Sequence, residues 1–286
     1  MEFKLQDIEA FLNQEPVGRV DAFGDIFLRR IPANNGYGLK EMEVAIRVSQ
    51  PRGGDQDEIR HLEFKNELKL CSLKHRNIIG LVGFCEAKEN FYLVYEMFQA
   101  KPLSKLLEGL TWEQALKILK GTVSALAFLH SHPDGPFVHS NISVNNVLVT
   151  EDFVPKLIDF SHCIVEGERS TNRSPRYYPS KPEGTTTVQA DVFAFGLLAL
   201  QLITKDGRTA FAVEDGEGQS ISLHHILDLY IPMLKERRNL IHASYGQVKE
   251  SGKLTEMIFN CLKKDSQLEL KSFHRDLILL SLAKRC

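Results

Sequence analysis

The stretch FVHSNISVNNVLV, residues 137–149, decides how the rest of the chain is read. Apolar residues lead to His139, a polar run follows through Ser140, Asn141 and Ser143, and Asn146 stands directly before a second apolar run. Two short apolar runs around a polar turn read as strand, loop and strand. Working outward, short strands are expected at 146–149 and 154–158, with Asp159 at the exit of the second. Upstream, TWEQALKILKGTVSALAFLHSH (111–132) has the spacing of a long amphipathic helix. Thr111 is its expected N-cap, with a Glu nearby. Downstream comes a polar loop from 163 to 182, and then a mainly helical remainder.

Residues 17–48 differ in texture. VGRVDAFGDIFLRRI and EVAIRV alternate around the turn NNGYG, which is the pattern of strands. PRGGDQDE (51–58) reads as a loop and IRHLEFKNELKLCSL (59–73) as a helix. LVGFCEAKENFYLVYEMF (81–98) reads as a hairpin turning near Lys88–Asn90. The sequence therefore predicts an α+β protein of two lobes, a small β-rich one carrying one helix and a larger helical one.

Composition narrows the function classes. In 286 residues, 43% apolar and 25% charged, the net charge is −2, which argues against a general nucleic-acid or membrane-surface binder. The N-terminus MEFKLQDIEAFLNQEP has no apolar signal core, and Glu2 stands where N-myristoylation needs glycine. The most apolar run, VFAFGLLALQLI (192–203), is too short to span a bilayer and reads as a buried helix, so no integral membrane segment is expected. The five cysteines lack CxxC spacing, which suits a reducing cytosol without a zinc or disulfide framework.

In this order the segments resemble a eukaryotic protein-kinase domain over about residues 15–280. FGDIF (23–27) fits the end of the glycine-rich loop, VAIR (44–47) the strand of the phosphate-holding Lys, and FKNEL (64–68) the helix supplying Glu67. LVYEMF (93–98) fits the hinge, HSNISVNN (139–146) the catalytic loop and IDFS (158–161) the metal motif. KPE (181–183) and ADVFAFG (190–196) fit the end of the activation segment and the buried helix after it. HRNIIGLVGFC (75–85), LVYEMF and the 111–130 helix are similar to plant receptor-like and receptor-like cytoplasmic kinases. The resemblance implies an N-terminal extension (1–14) and a kinase-like domain (15–286), divided into N-lobe (15–94), hinge (95–98) and C-lobe (99–286). The literal His274-Arg275-Asp276 lies too far downstream to be the catalytic loop and reads as an exposed turn of the last helix.

Phosphoryl transfer requires positioning, charge neutralisation and a carboxylate that orients the hydroxyl and takes its proton. The resemblance puts Asn141 where that carboxylate belongs and Ser143 where a phosphate-facing Lys belongs. An amide cannot usefully accept the proton, a loss of about 10²–10⁴ in rate. Arg47 replaces the strand Lys; its guanidinium can still pair with Glu67, but its larger planar head fills space meant for phosphate. RVDAFG (19–24) lacks two of three expected glycines and places Asp21 beside any phosphate. Asn146 and Asp159 match the magnesium ligands, with loop-tying hydrogen bonds as the alternative role. Ser161 replaces the glycine of the metal motif, and Ser140 the Arg that docks a phosphorylated activation loop. The usual Arg partner of Glu183 aligns with Glu269, while Lys271 or Arg275 serves only with a gap.

Ile26, Ala45 and Leu148 fit the shell around adenine, with Glu96 and Phe98 at the hinge, so any nucleotide site is a degenerate one. Cys71, Leu81, His139 and Phe160 fit the regulatory spine anchored by Asp191. The resulting expectation is a pseudokinase, a signalling adaptor, scaffold or decoy in plant receptor-kinase or immune pathways. Its partners would be receptor kinases, immune receptors or effectors. It would be cytoplasmic, brought to the plasma membrane through those partners, and require no cofactor beyond at most weakly bound ATP with magnesium. The activation segment EGERSTNRSPRYYPS (166–180) is its expected partner surface. The alternatives are a weak or atypical Ser/Thr kinase and a nucleotide-binding sensor.

Overall fold

In the computed structural model, residues 1–14, 26–97, 99–168, 187–206, 213–214, 220–221, 230–236, 238–248, 251–263 and 268–282 are described. The chain divides into two units, Met1–Gln99 with Asp159–His162, and Ala100–Ile158 with Cys163–Cys286. The α+β partition agrees with the sequence reading.

The first unit is built on a four-stranded antiparallel sheet in the order β1-β2-β4-β3. Its strands are β1 (Ile26–Ile31), β2 (Met42–Ser49), β3 (Leu81–Glu86) and β4 (Phe91–Glu96). The NNGYG turn holds Gly36 and Gly38 at φ 74° and 72°, backbone that glycine reaches without strain. Alternation along each strand then sorts the side chains onto two faces.

On one face Val44, Ile46, Tyr92 and Val94 form a buried cluster with Ile31, Cys85 and three residues from the N-terminus, Phe3, Ile8 and Phe11. Ile8 and Phe11 come from helix α1 (Leu5–Leu12). Residues 1–3 run beside edge strand β3: Phe3 N donates to Phe84 O at 2.7 Å, and Phe84 N donates to Met1 O at 2.9 Å. Gly83 permits the approach, because a Cβ there would lie 2.4 Å from the Phe3 ring. Residues 1–14, expected as an N-terminal extension, thus pack onto the sheet of the first unit. This segment completes the first unit's core, with Leu5, Ile8, Phe11 and Leu12 spaced along one side of its eight-residue helix.

Helix α2 (Asp55–Cys71) belongs to the opposite face, where Phe64 stacks on Phe91 with centroids 4.8 Å apart. The helix begins four residues before the expected 59, so PRGGDQDE is only partly loop. Asp55, Asp57 and Glu58 occupy its first turn, where the helix dipole favours acids. Asp57 also accepts from Arg52 N at 3.0 Å and Gly53 N at 3.2 Å, which folds the preceding loop onto the helix. The buried stripe Arg60, Phe64, Glu67, Leu70, Cys71 has helical spacing but includes two charged residues, so apolar periodicity under-reads it.

In the second unit β5 (Ala100–Pro102), β7 (Val147–Thr150) and β8 (Pro155–Leu157) form one small sheet. β6 (Phe137–Val138) pairs with β9 (Ile164–Val165), so the loop expected from 163 begins with a short strand. Helix α3 (Trp112–His130) opens with a full capping box: Thr111 accepts from Gln114 N, and Gln114 accepts from Thr111 N. Gln114, rather than the neighbouring Glu, completes the cap. Helix α4 (Val188–Thr204) is buried along almost its whole length, as the 192–203 run predicts. Gly196 lets α5 (Ser251–Cys261) pack closely, since a Cβ there would meet Cys261 at 2.7 Å. Helix α6 (Leu270–Leu282) joins through Phe273 edge-on to Phe195 at 5.1 Å. It carries His274-Arg275-Asp276 with the Arg275 side chain 73% exposed, as the sequence reading expects. Among the described residues no helix is long and apolar enough to cross a membrane.

RVDAFG (19–24) with Asp21, Phe98, residues 169–180 of the expected partner surface and KPE (181–183) with Glu183 lie outside the described residues.

Candidate functional site

In the first unit, strand parity decides which side chains meet. Val44 and Ile46 turn to the N-terminal face, so Ala45 and Arg47 turn to the other. Ala45 pairs in register with Tyr95, and Arg47 with Leu93. Arg47 Nη1 donates to Glu67 Oε2, and Tyr95 Oη donates to Glu67 Oε1 at 2.6 Å. Glu67, with its side chain 4% exposed, therefore has both oxygens bonded to donors. Burial pushes the Glu67 carboxyl above its ordinary value, against the opposing pull of Arg47 and Tyr95. Glu67 in turn raises Arg47 well beyond the usual guanidinium value, and the charge of Asp159 acts on both in the same direction. Arg47 is 29% exposed, so Glu67 is the buried member, and losing Arg47 would leave its charge in the interior undercompensated.

Asp159 has a left-handed backbone, φ 63°. Ser161 Oγ donates to Asp159 Oδ1 at 2.6 Å, and Asn66 Nδ2 on α2 donates to Ser161 O at 3.2 Å. Phe160, between them, is fully buried. These contacts assign Asp159–His162 to the first unit, whereas the sequence boundary put it in the C-lobe. At the expected hinge, Glu96 N donates to Gly80 O at 3.0 Å and Met97 N to Glu43 O at 3.3 Å. Ile26 and Ala45 are half-buried, while Glu96 is exposed.

In the second unit the loop after β6 is tied down at several atoms. Asp191 on α4, fully buried, accepts from His139 N at 2.7 Å and Ser140 N at 2.9 Å, with His130 Nε2 also 2.9 Å away. Ser140 adopts φ 63°, an uncommon conformation for a residue with a Cβ, and Asp191 holds it there. Asn141 N donates to His139 Nδ1 at 3.3 Å, which leaves the other ring nitrogen, Nε2, to donate to Ile158 O at 3.1 Å. Asn146 Nδ2 donates to Asn141 O at 2.8 Å, and Ile158 N donates to Asn146 O at 3.1 Å. Asn146 is therefore a loop tie. Asn141 and Ser143 are half-buried in this loop, and Leu148 is half-buried on β7.

Sequence reasoning placed Arg47 with Glu67, and His139 with Asp191, but missed Tyr95 and Asn66. Tyr95 shares strand parity with Arg47's face and could have been found from the register. Asn66 shows no signal without the tertiary contact. Of the expected spine, Cys71, His139 and Phe160 are buried and Leu81 is half-buried. Asp159 in the first unit and Asn146 in the second each carry oxygen of the kind magnesium takes together with phosphate. Among the described residues no group of three or more His, Cys, Asp or Glu forms a metal cluster.

Comparison with known proteins bears on this constellation. The protein kinase domain matches residues 38–271. A probable leucine-rich repeat receptor-like protein kinase of Arabidopsis thaliana is 30% identical over 223 residues, 72% of this chain and 19% of that protein. A G-type lectin S-receptor-like serine/threonine-protein kinase of the same plant is 28% identical over 254 residues, 82% of this chain and 27% of its own length. A cysteine-rich receptor-like protein kinase is 32% identical over 176 residues, 56% of this chain and 26% of the relative. The chain thus spans about a fifth to a quarter of the length of these relatives. With a β-sheet unit carrying Arg47 and Glu67, a helical unit carrying the His139–Asn146 loop, and these similarities, the chain belongs to the protein kinase domain family and is similar to plant receptor-like kinases.

Proposed function

We propose that this protein is a pseudokinase, a kinase fold without efficient phosphoryl transfer that works as a signalling adaptor, scaffold or decoy. Asn141 carries the reading: the loop is tightly built, yet the position that should hold a proton-accepting carboxylate holds an amide. Ser143 adds no cation for a transferring phosphate. Arg47 makes the ion pair with Glu67 that a competent kinase also needs, but its larger planar guanidinium is a poor substitute for an ammonium at phosphate. Asp159 and Asn146 each match a magnesium-ligand position of the family, and their present bonds, Asp159 to Ser161 and Asn146 to Asn141, favour structural roles. No cofactor is needed for this function.

Similarity to receptor-like kinases supports protein partners in plant receptor-kinase or immune signalling, with action in the cytoplasm at the membrane where such receptors sit. The test is radiolabelled phosphate transfer, to a generic peptide and to the protein itself. Three forms are compared: wild type, Asn141→Asp, and the triple repair Arg47→Lys, Asn141→Asp, Ser143→Lys. Wild type and the single repair should be inactive, since the groups act together on one transition state. Magnesium-dependent transfer by wild type, lost in Asp159→Ala, would overturn the reading.

A further inference from the structure

We propose that the Ser161 hydroxyl is an internal competitor for a divalent cation at Asp159, and that Asn66 holds it in place. The inference rests on reading Asp159 as the remnant of a magnesium ligand. Ser161 Oγ donates to Asp159 Oδ1 at 2.6 Å, the usual length of a charge-assisted hydroxyl–carboxylate bond. Its positively polarised hydrogen therefore sits against the same carboxylate oxygen that a cation would approach. Magnesium demands near-ideal octahedral geometry at about 2.1 Å, so it tolerates a competing hydrogen at a ligand oxygen poorly.

Three features keep the hydroxyl there. Ser161 is 6% exposed, which leaves it little water to turn toward. Its carbonyl oxygen is pinned by Asn66 Nδ2 at 3.2 Å, from the helical residue next to Glu67. Phe160 is fully buried, so the segment cannot rotate without emptying that side chain's seat. With glycine at position 161 there would be neither the hydroxyl nor the backbone restriction. Ser161 and Asn66 are thus positioning residues for Asp159, and they lower metal-dependent nucleotide affinity independently of Asn141.

The experiment titrates a fluorescent ATP analogue into the full chain, with manganese or with EDTA, in wild type, Ser161→Ala, Asn66→Ala and Asp159→Ala/Ser161→Ala. Removing one hydrogen bond to a charged group should tighten the manganese-dependent Kd about tenfold in Ser161→Ala. The EDTA value should stay where it is. Asn66→Ala should give a smaller gain, and the double variant none. Ser161→Cys, similar in size but a poor donor, repeats the comparison should the alanine form fail to fold. A manganese-dependent Kd that is unchanged or weaker, or no metal-dependent binding in any form, would overturn the proposal. Phosphate transfer by wild type bears on the pseudokinase reading alone and leaves this binding comparison standing.

Discussion

Gly83→Ala should destabilise the first unit by about 2–3 kcal/mol, although the backbone argument alone has the opposite sign. Gly83 is not among the positive-φ residues, so replacing it with alanine would ordinarily stabilise by about 0.4–1 kcal/mol through the unfolded chain. The new Cβ, however, would lie 2.4 Å from the Phe3 ring and 2.6 Å from Met1 O. The ring alone could turn away, but Met1 O accepts the Phe84 N–H, so relief must also disturb the pairing of residues 1–3 with β3. Overpacking costs about 1–3 kcal/mol, and loss of a buried Phe side chain about 3–5 kcal/mol. The second figure is an upper bound, since the N-terminal segment can detach rather than strain the sheet. Hydrogen exchange of residues 81–96, read by mass spectrometry, gives the local opening free energy. Gly109→Ala is the control, because nothing lies within 4 Å of a Cβ at that position. Phe3→Ala relieves the ring clash, so the Phe3→Ala/Gly83→Ala double variant should cost at least about 1 kcal/mol less than the sum of the singles. Additivity within about 0.5 kcal/mol would refute the packing argument.

Tyr95→Phe should cost about 1.5–3 kcal/mol, because buried Glu67 loses a hydroxyl donor; exchange protection of α2 amides measures it. Thr111→Ala should cost about 1 kcal/mol by opening the capping box, read as a lower urea midpoint from the fluorescence of Trp112, the chain's one tryptophan. Asp57 is held below its ordinary carboxylate value by the Arg52 and Gly53 N–H groups and Arg60. A depressed folded value gives stability that is present above about pH 4 and lost as pH falls through it. Asp57→Asn should therefore flatten the acid limb of the melting-temperature profile between about pH 5 and pH 2, and an unchanged limb would contradict the assignment.

Much of this protein is legible in one dimension because chain order and spacing carry it. His139, Asn141 and Asn146 lie within eight residues, so local sequence alone fixes which side chains the loop presents. The 111–130 helix and the buried 192–203 run announce themselves because each puts its apolar residues on a full helical stripe or all around. Other features depend on contacts between distant residues. Ile8 and Phe11 lie at helical spacing, yet nothing near them or Phe3 in sequence tells what they cover until the sheet presents a face for them to close. The start of α2 is hidden because its first four residues, 55–58, are all polar, and its buried Arg60 and Glu67 are tolerable only with the partners that folding supplies. Those partners are Ser49 O and Glu89 O for Arg60, and Arg47 with Tyr95 for Glu67. The hold of Ser161 on Asp159 spans two residues, but its anchor at Asn66 spans 95, and no local pattern encodes a bond of that reach. Sequence settles the residue types available to the chemistry. Tertiary structure settles which of their donors and acceptors are already spent on one another, because a buried polar group must find its partner wherever the fold brings one.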